Sequence, residues 1–399
     1  MCRNLIFLLV LGLLGTALGA QAPDTLTFPQ PQYVNPIFDS FTRNYISTSA
    51  MGRGHTGLAI PGGVDNVLKN PAGYRPDKAS LHLELLVKPP VDSDIYAMAD
   101  TSVYYQMTNE TMNSPVPVGI IGGGGRIGPN FTYGLLYSLP KTIKVDNFGV
   151  EINMGYGLIQ RYPSFYLNQI TANAAWHKDD FHVGLNLHNQ IYHLGDVTFL
   201  RSFERIRDTK YVLRPQLGLL YSGETLSAGL SVVPQQNVDW DLKFASYETR
   251  LPLNLAIGMA YGKNDAFLTA ELDFEQCSAI SPAFRDRYTI HVGAEKTIRR
   301  YTYRAGYMYH PQVWVGDFLI PDAASDTLSI WWNAVLPQGQ VGKNNQHILT
   351  LGSSWSHPDV RVNLAGLIDV AGQAPVAQVS FSVDLFFSAF KRKNFLYFD

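Results

Sequence analysis

The chain has 399 residues, a formal net charge of −2 and only 16% charged residues, against about 25% in typical soluble domains. A net charge so close to zero implies no polyanionic partner, so no nucleic-acid partner is expected. After the first twenty residues no apolar run approaches the about eighteen residues of a membrane-spanning helix, which excludes helical membrane spans as well.

The first twenty residues have the pattern of a secretory signal peptide. Arg3 comes before an apolar run from Leu5 to Leu14, and Ala17, Gly19 and Ala20 supply small residues near the cleavage point. The apolar run is shorter than the about twenty residues that a helix needs to cross a bilayer. We therefore predict a signal peptide over 1–20 and an exported mature protein.

The cysteine content excludes a fold that depends on disulfides. Cys2 would leave with the signal peptide, so Cys277 would be the one thiol of the mature protein. A lone cysteine beside Glu275 and Gln276 is more typical of an inert thiol than of a nucleophile. The sequence also contains no Gly-x-Ser-x-Gly nucleophile elbow, so we predict a protein that is not an enzyme and has no cofactor and no metal site.

Residues 21–79 are predicted to form an N-terminal segment that includes a hatch, an inner plug of the domain that follows. Its stretch from Met51 to Gly73 is rich in glycine and turn residues and poor in large aliphatic side chains, so it cannot form a core of its own. Glycine allows close backbone approach, and the Asn70-Pro71 pair favours an extended or turn conformation. A larger structure must therefore enclose this stretch. The alternative is an ordinary surface loop.

Residues 80–399 alternate between apolar and polar side chains, which is the period of β-strands with two different faces. The alternation starts at Leu81, Leu83, Leu85 and Val87. Few charges, with apolar residues at every second position and no long apolar run, are typical of a transmembrane β-barrel whose outer face contacts lipid. We therefore predict an outer-membrane β-barrel over 80–399.

Two early stretches of this region have more than one reading. Residues 91–115 contain several aspartates, which fit a solvated acidic loop or, less simply, a calcium site. Gly119–Gly128 holds a glycine cluster, but strand-like spacing from Phe131 replaces the helix that a phosphate-binding loop requires. We predict a kinked strand or tight hairpin there, beside a bulky interior element.

The clearest predicted hairpin joins a strand over Phe165–Trp176 to a strand that begins at Phe181. Polar residues on one face of the second strand include His182 and His188. These histidines lie six residues apart, about 20 Å along a strand, so one metal ion could not bind both. They are therefore predicted to be polar residues that face the inside of the barrel.

Short and long connections alternate along the predicted strands. The short ones are predicted to face the periplasm and the long polar ones the outside, as in membrane barrels. The short connections are 178–180, 223–225 and 262–265, and the long ones are 195–210 and 234–250.

Later strands are predicted over 301–309, near 347, near 360 and over 379–387, with a long segment from 310 to 345 between the first two. When 327–335 is taken as loop, the number of strands is about fourteen. Open strand edges are not tolerated in lipid, so the strands must close. The predicted fold class is all-β, a transmembrane antiparallel β-barrel with the hatch in its lumen.

Four short motifs resemble those of the FadL-like family, which comprises outer-membrane transporters of long-chain fatty acids and channels for aromatic hydrocarbons. The hatch of that family is similar to Gly52-Arg53-Gly54-His55-Thr56-Gly57 together with Asn70-Pro71-Ala72-Gly73. A late strand, the loop after it and the next strand resemble Tyr303–Tyr307 with Pro311, Ile320–Asp322 and Gln346–Gly352. An insertion after Asp322 departs from the family's loop, and no ligand-binding basic residue can be transferred by motif.

The resemblance implies a channel of the bacterial outer membrane for passive uptake of hydrophobic small molecules such as long-chain fatty acids. Release would follow movement of the hatch or pass sideways through the wall. The partners would be the hydrophobic ligand and outer-membrane lipid. The candidate site residues are those of the hatch, namely Gly52, Arg53, Gly54 and Gly57, whose glycines let it pack, and Asn70, Pro71 and Ala72, which shape it.

The same hatch motifs also resemble barrel components of the type IX secretion system. Glycine-rich residues before Asn70-Pro71-Ala72 do not separate the two groups. On that alternative the chain would be a component of a type IX-like protein secretion system, and its partners would be secretion-system proteins.

Overall fold

The structure is a computed structural model that describes most of the predicted barrel, all of the predicted hatch stretch from Met51 to Gly73 and part of the N-terminal segment around it. The predicted signal peptide, the first part of the N-terminal segment and the loop predicted over 327–335 lie outside the described residues. The described residues are 43–76, 78–93, 96–99, 103–107, 110–113, 116–146, 148–152, 156–161, 164–198, 205–242, 245–263, 265–279, 285–311, 345–371 and 377–387.

Fourteen long strands make up most of these residues, and their bounds in chain order follow. They are β1 (Ser80–Val87), β2 (Val118–Ile127), β3 (Phe131–Asp146), β4 (Ser164–Lys178), β5 (Phe181–Thr198), β6 (Arg205–Ser222), β7 (Leu226–Val233), β8 (Asn254–Lys263), β9 (Ala266–Glu275), β10 (Arg287–Ile298), β11 (Tyr301–His310), β12 (Gln346–Ser356), β13 (Val360–Asp369) and β14 (Ala377–Phe386).

Within the described residues these fourteen strands form one closed antiparallel barrel. Each strand is hydrogen-bonded to its neighbours in the chain, and the ring closes where β14 pairs with β1, with Ser80 opposite Phe386. The predicted fold class and strand number are confirmed. No helix in the described ranges is long and apolar enough to cross a membrane.

The two faces of the barrel have opposite chemistry. On β14 the outward side chains of Val379 and Phe381 are 53% and 42% exposed, whereas the inward Ser380 and Ser382 are fully buried. The inward His182 and His188 of β5 are also buried, as predicted. An apolar exterior with a buried polar interior is the reverse of a soluble domain and is characteristic of membrane barrels.

The short connections lie where they are predicted, but the long ones contain more strand than predicted. The prediction of loops at 91–115 and 234–250 is wrong, because both ranges contain strands. The loop predicted over 195–210 is strand at both of its ends. Because β5 and β6 have 18 residues each and a membrane crossing needs about 9–11, their outer parts need no apolar face and lose the alternation that predicts strands. The additional strands are Val91–Ser93, Tyr96–Ala99, Val103–Met107, Glu110–Asn113, Phe148–Ile152, Tyr156–Arg161, Gln236–Leu242 and Ala245–Leu251.

Residues 43–76, which we call the inner segment, lie inside the barrel and contact all fourteen strands. The segment consists of one short helix, α1 (Thr48–Met51), two 3-10 turns and irregular chain. Its apolar residues form two small cores with the wall, one around Met51 and one around Val64 and Val67. The movement that the term hatch implies stays a prediction.

Glycines of the wall are the points at which the inner segment approaches most closely. Several are paired across neighbouring strands, as Gly293 of β10 is with Gly306 of β11. A methyl group at Gly306 would overlap the backbone of Arg53 and Gly54, and one at Gly352 would lie 2.9 Å from Gly52 Cα. We call these positions the glycine seats, and they are Gly184, Gly218, Gly229, Gly258, Gly293, Gly306 and Gly352.

The glycine seats predict a position-dependent cost of adding a methyl group. Gly306→Ala should destabilise the barrel by about 1–3 kcal/mol, because the backbone at Gly54 is hydrogen-bonded to the wall and cannot retreat. Urea unfolding monitored by the gel mobility of the folded barrel measures this loss. Gly366→Ala is the matched control, since its methyl group would meet one carbonyl oxygen at 3.8 Å. Equal unfolding midpoints for the two variants would show that the seats do not matter.

Candidate functional site

Carboxylates and amides of the wall hydrogen-bond to the backbone of the inner segment. The Glu271 carboxylate of β9 accepts hydrogen bonds from Gly57 N and Leu58 N, each at 2.5 Å. Glu84 of β1 accepts from the backbone N–H groups of Ser47 and Thr48 at 3.0 and 2.6 Å. An irregular segment leaves many of its own backbone groups unpaired, so these wall side chains supply the partners that regular secondary structure would provide.

The predicted site residues Gly52, Arg53, Gly54 and Gly57 lie in a turn against β9 to β13. Gly54 has a left-handed backbone, with φ 70°, and a methyl group there would overlap the wall at Val292 and Tyr307. Its N–H donates to Thr350 Oγ1 at 2.8 Å. Gly52 packs on Gly352 and Gly57 on Asn66, so each glycine occupies a place with no room for a side chain.

Arg53 is the charged residue of this turn and is only 5% exposed. Its guanidinium donates to Glu295 Oε2 of β10 at 2.5 Å, and Arg304 of β11 donates to the same oxygen at 2.6 Å. Because a buried charge needs a partner, this arrangement attaches the turn firmly to two strands.

The predicted site residues Asn70, Pro71 and Ala72 lie on the opposite side, against β4 to β6. The Asn70 side chain donates to Leu58 O at 2.7 Å and to Leu219 O at 3.0 Å, and it accepts from Ala72 N at 3.0 Å. Pro71 O accepts from the Asn173 amide at 3.0 Å. The two groups of site residues are therefore separate in space, and Asn70 connects them through Leu58.

A cavity of about 300 Å³ lies between the inner segment and the end of the barrel that carries the long connections. Its lining combines both kinds of side chain, which suits a molecule with an apolar body and a polar end. Apolar lining residues are Ile46, Leu58, Leu68, Leu167, Val233 and Leu251. Charged ones are Arg43, Lys69, Lys141, Arg214, Asp273 and Glu275.

The barrel wall is irregular beside this cavity at Pro140 of β3. The pairing of β2 with β3 ends at Ser138, and the register between β3 and β4 shifts at the proline. Proline has no N–H and disrupts a strand ladder. The inner segment occupies the break, because Asn44 N donates to Pro140 O at 2.8 Å and the Asn44 side chain donates to Leu139 O at 2.7 Å.

A second irregular place lies where the hairpin 236–251 leaves the barrel between β7 and β8. Pro234 and Pro252 stand at its two ends. The buried Arg214 of β6 donates to the carbonyl oxygens of both prolines, so one guanidinium holds both ends of the hairpin to the neighbouring strand. Arg214 also lines the cavity.

Burial shifts the titration of several groups outside the wall strands. It raises the pKa of Tyr45 to about 12 and that of the Cys277 thiol to about 12, so Cys277 is a thiol rather than a thiolate at neutral pH. Burial alone would raise the pKa of Asp65, but the nearby His82 and hydrogen bonds from the Ser47 and Ser49 hydroxyls lower it overall. Asp65 is therefore an ionised carboxylate that holds α1.

No protein-family model matches the chain, and no curated protein matches its sequence. Solved structures do match. A FadL homologue of Pseudomonas aeruginosa is 13% identical, with a TM-score of 0.57 over 90% of this chain and 100% of that one. The toluene transporter TbuX of Ralstonia pickettii is 13% identical, with a TM-score of 0.54 over 85% and 98%. The toluene transporter TodX of Pseudomonas putida is 14% identical, with a TM-score of 0.56 over 89% and 98%. The chain has a FadL-like fold.

The FadL-like fold confirms the resemblance predicted from the sequence motifs.

The sequence motifs do not predict the cavity, although the sequence of β9 contains one signal for it. Leu268, Ala270, Leu272 and Phe274 alternate along β9, so the residues between them must face inward. Those inward residues include carboxylates at three alternate positions, Glu271, Asp273 and Glu275, and such a set of inward carboxylates indicates a polar interior partner.

The hydrogen bonds of Asn70 predict a local effect of its removal. Asn70→Ala would leave the carbonyls of Leu58 and Leu219 and the N–H of Ala72 without these partners, at a cost of about 1–3 kcal/mol. We expect faster amide hydrogen exchange across residues 58–73, measured by mass spectrometry.

Asn168→Ala is the control for this experiment. It removes a hydrogen bond between Asn168 and Tyr137 of the wall and should leave exchange in the inner segment unchanged. If both variants exchange at the wild-type rate, Asn70 does not hold the inner segment in place.

Proposed function

We propose that the protein is a channel of the bacterial outer membrane through which hydrophobic small molecules pass without an energy source. The observation that supports this most is the cavity of mixed polarity, enclosed by a barrel with an apolar exterior and bounded on one side by the inner segment. The apolar exterior fits contact with outer-membrane lipid. Three solved proteins with this fold are described as a FadL homologue and two toluene transporters, which supports the same class of ligand.

Long-chain fatty acids are among the ligands we propose. Transfer of each methylene from water to an apolar site is worth about 0.8 kcal/mol, so an alkyl chain would enter without another driving force. The charged lining has four basic side chains against two carboxylates, which favours an acidic head group. At about 300 Å³ the cavity lies at the small end of ligand sites, so a long chain would extend beyond it.

Release of the ligand requires a path past the inner segment. Two routes fit the structure: movement of the inner segment itself, or a sideways route through the wall. The break in strand pairing beside Pro140 supports a sideways route at that place, since Pro140 and Lys141 line the cavity. We propose the sideways route as the simpler one, because it leaves the contacts of the inner segment intact.

The alternative, a barrel of a type IX-like secretion system, is supported less well as a conduit for proteins. The inner segment contacts every strand, so a polypeptide could cross the barrel only after the whole segment had been displaced. Crosslinking in cells followed by mass spectrometry tests this alternative, which requires recovery of a secretion-system protein.

Filling the cavity should slow transport. Leu68 lines the cavity from the inner segment, and Leu68→Trp should reduce the initial entry rate of a radiolabelled fatty acid about fivefold or more, because the larger side chain occupies space that the ligand needs in a cavity already at the small end of ligand sites. Entry is measured into proteoliposomes that contain lipopolysaccharide, with empty liposomes as the baseline.

The matched control is Leu135→Trp, at a lipid-facing position that is 60% exposed. It should transport at the wild-type rate. Wild-type entry no faster than into empty liposomes would overturn the proposed function, and equal rates for both tryptophan variants would show that the ligand does not use this cavity.

A further inference from the structure

His55 has an unusual backbone for its residue type. Within the described residues four non-glycine residues have positive φ, and His55, at 62°, is one of them. Asp179 and Arg299 occupy tight turns between neighbouring strands, and Ser47 caps α1. A left-handed backbone costs about 1–2 kcal/mol for a residue with a Cβ, so another part of the structure must offset this cost at His55.

The wall holds the turn around His55 in place. On one side of it, Gly54 O accepts a hydrogen bond from His291 Nδ1 at 2.8 Å, and Gly54 N donates to Thr350 Oγ1 at 2.8 Å. On the other side, the hydroxyl of Thr56 lies 2.8 Å from that of Thr269. Three strands therefore fix the backbone, and with it the direction in which the imidazole points.

The imidazole of His55 lines the cavity and lacks a hydrogen-bond partner at Nε2. Buried polar groups are almost always paired, so an unpaired one needs an explanation. Four histidines of the described residues have an unpaired Nε2, and only His55 among them lines the cavity; the four are His55, His82, His182 and His310.

A carboxylate oxygen beside His55 is unpaired as well. The rings of His55 and His291 lie 6.0 Å apart, and His291 Nε2 lies 3.1 Å from Asp273 Oδ2. The other oxygen of Asp273, Oδ1, is buried without a partner, and Asp273 also lines the cavity. The residues that line this side of the cavity therefore include an imidazole nitrogen and a carboxylate oxygen that are buried and have no hydrogen-bond partner in the protein.

The imidazole is neutral at physiological pH. Burial, together with the nearby Lys69 and His291, holds the pKa of His55 well below its ordinary value. A neutral imidazole has one N–H donor and one acceptor nitrogen. A hydroxyl group can both donate and accept, so it can pair with such an imidazole and with a carboxylate oxygen, whereas a hydrocarbon can pair with neither.

We propose that His55 is a ligand-binding residue of the cavity and that it selects hydrophobic molecules that carry a hydroxyl group, such as phenols. This inference rests on the proposed function, because it names a class of ligand for the same cavity. The imidazole of His55 forms a hydrogen bond with the ligand hydroxyl, and the strained backbone is retained because it places the ring at the cavity.

The test compares two probes that differ in one group, para-cresol and para-xylene, by isothermal titration calorimetry of the detergent-solubilised full chain. His55→Phe keeps the ring and removes both nitrogens, and His55→Gly removes the ring while it relieves the left-handed backbone. In both variants we expect affinity for para-cresol to fall about two- to twelvefold relative to para-xylene, since a hydrogen bond contributes about 0.5–1.5 kcal/mol.

His310→Phe is the matched control, because His310 is buried with an unpaired Nε2 and does not itself line the cavity; its Nδ1 lies 3.3 Å from Oγ1 of Thr289, which does line it. Its ratio of para-cresol to para-xylene affinity should equal that of the wild type. An unchanged ratio of para-cresol to para-xylene affinity in both His55 variants overturns the proposed role of His55. The same change of this ratio in His310→Phe also overturns it, and neither result affects the proposed function. Failure of the wild type to bind either probe overturns this proposal, whereas wild-type entry of fatty acid no faster than into empty liposomes overturns the proposed function.

Discussion

The structure depends on one requirement, that an irregular backbone enclosed in a barrel must find hydrogen-bond partners away from water. The wall meets this requirement with side chains. Gln378 of β14 accepts from Tyr45 N at 3.0 Å and donates to Tyr45 O at 2.7 Å, as a neighbouring strand would. Asn186 of β5 donates to Val67 O at 2.9 Å. The polar side chains inside the barrel therefore form hydrogen bonds with the backbone of the inner segment rather than surrounding a water-filled channel.

The inner face of the wall contacts the inner segment in two ways. The glycine seats let the backbone of the inner segment touch the strands, and amide or carboxylate side chains reach it where it stands further away. Beyond the inner segment, longer side chains such as Tyr192 and Arg214 border the cavity. The position of the inner segment thus determines where the candidate binding site lies.

Much of the barrel could be predicted from the sequence because lipid imposes a simple pattern. Every outward residue must be apolar, and the alternation at Leu81–Val87 or Val379–Phe387 follows directly. The pattern fails where that constraint ends, so the sequence predicts loops at the polar strands within 91–113 and 236–251.

The cavity could not be predicted, because its lining comes from distant parts of the chain. Arg43, Lys69, Lys141 and Arg214 meet only through the register of the strands and the path of the inner segment. The sequence does not indicate the left-handed backbone of His55, since it shows only a histidine that follows a glycine. The glycines of the wall were visible, but the pairing that brings them together, such as Gly184 opposite Gly218, requires the register.

The seven glycine seats hold the inner segment from strands β5 to β12, with contacts too close for a side chain to pass. A chain held in this way fits one register of the surrounding strands, because a shift of a strand would put a side chain where the inner segment meets a glycine. Residues 43–76 therefore help to determine how the strands around them pair.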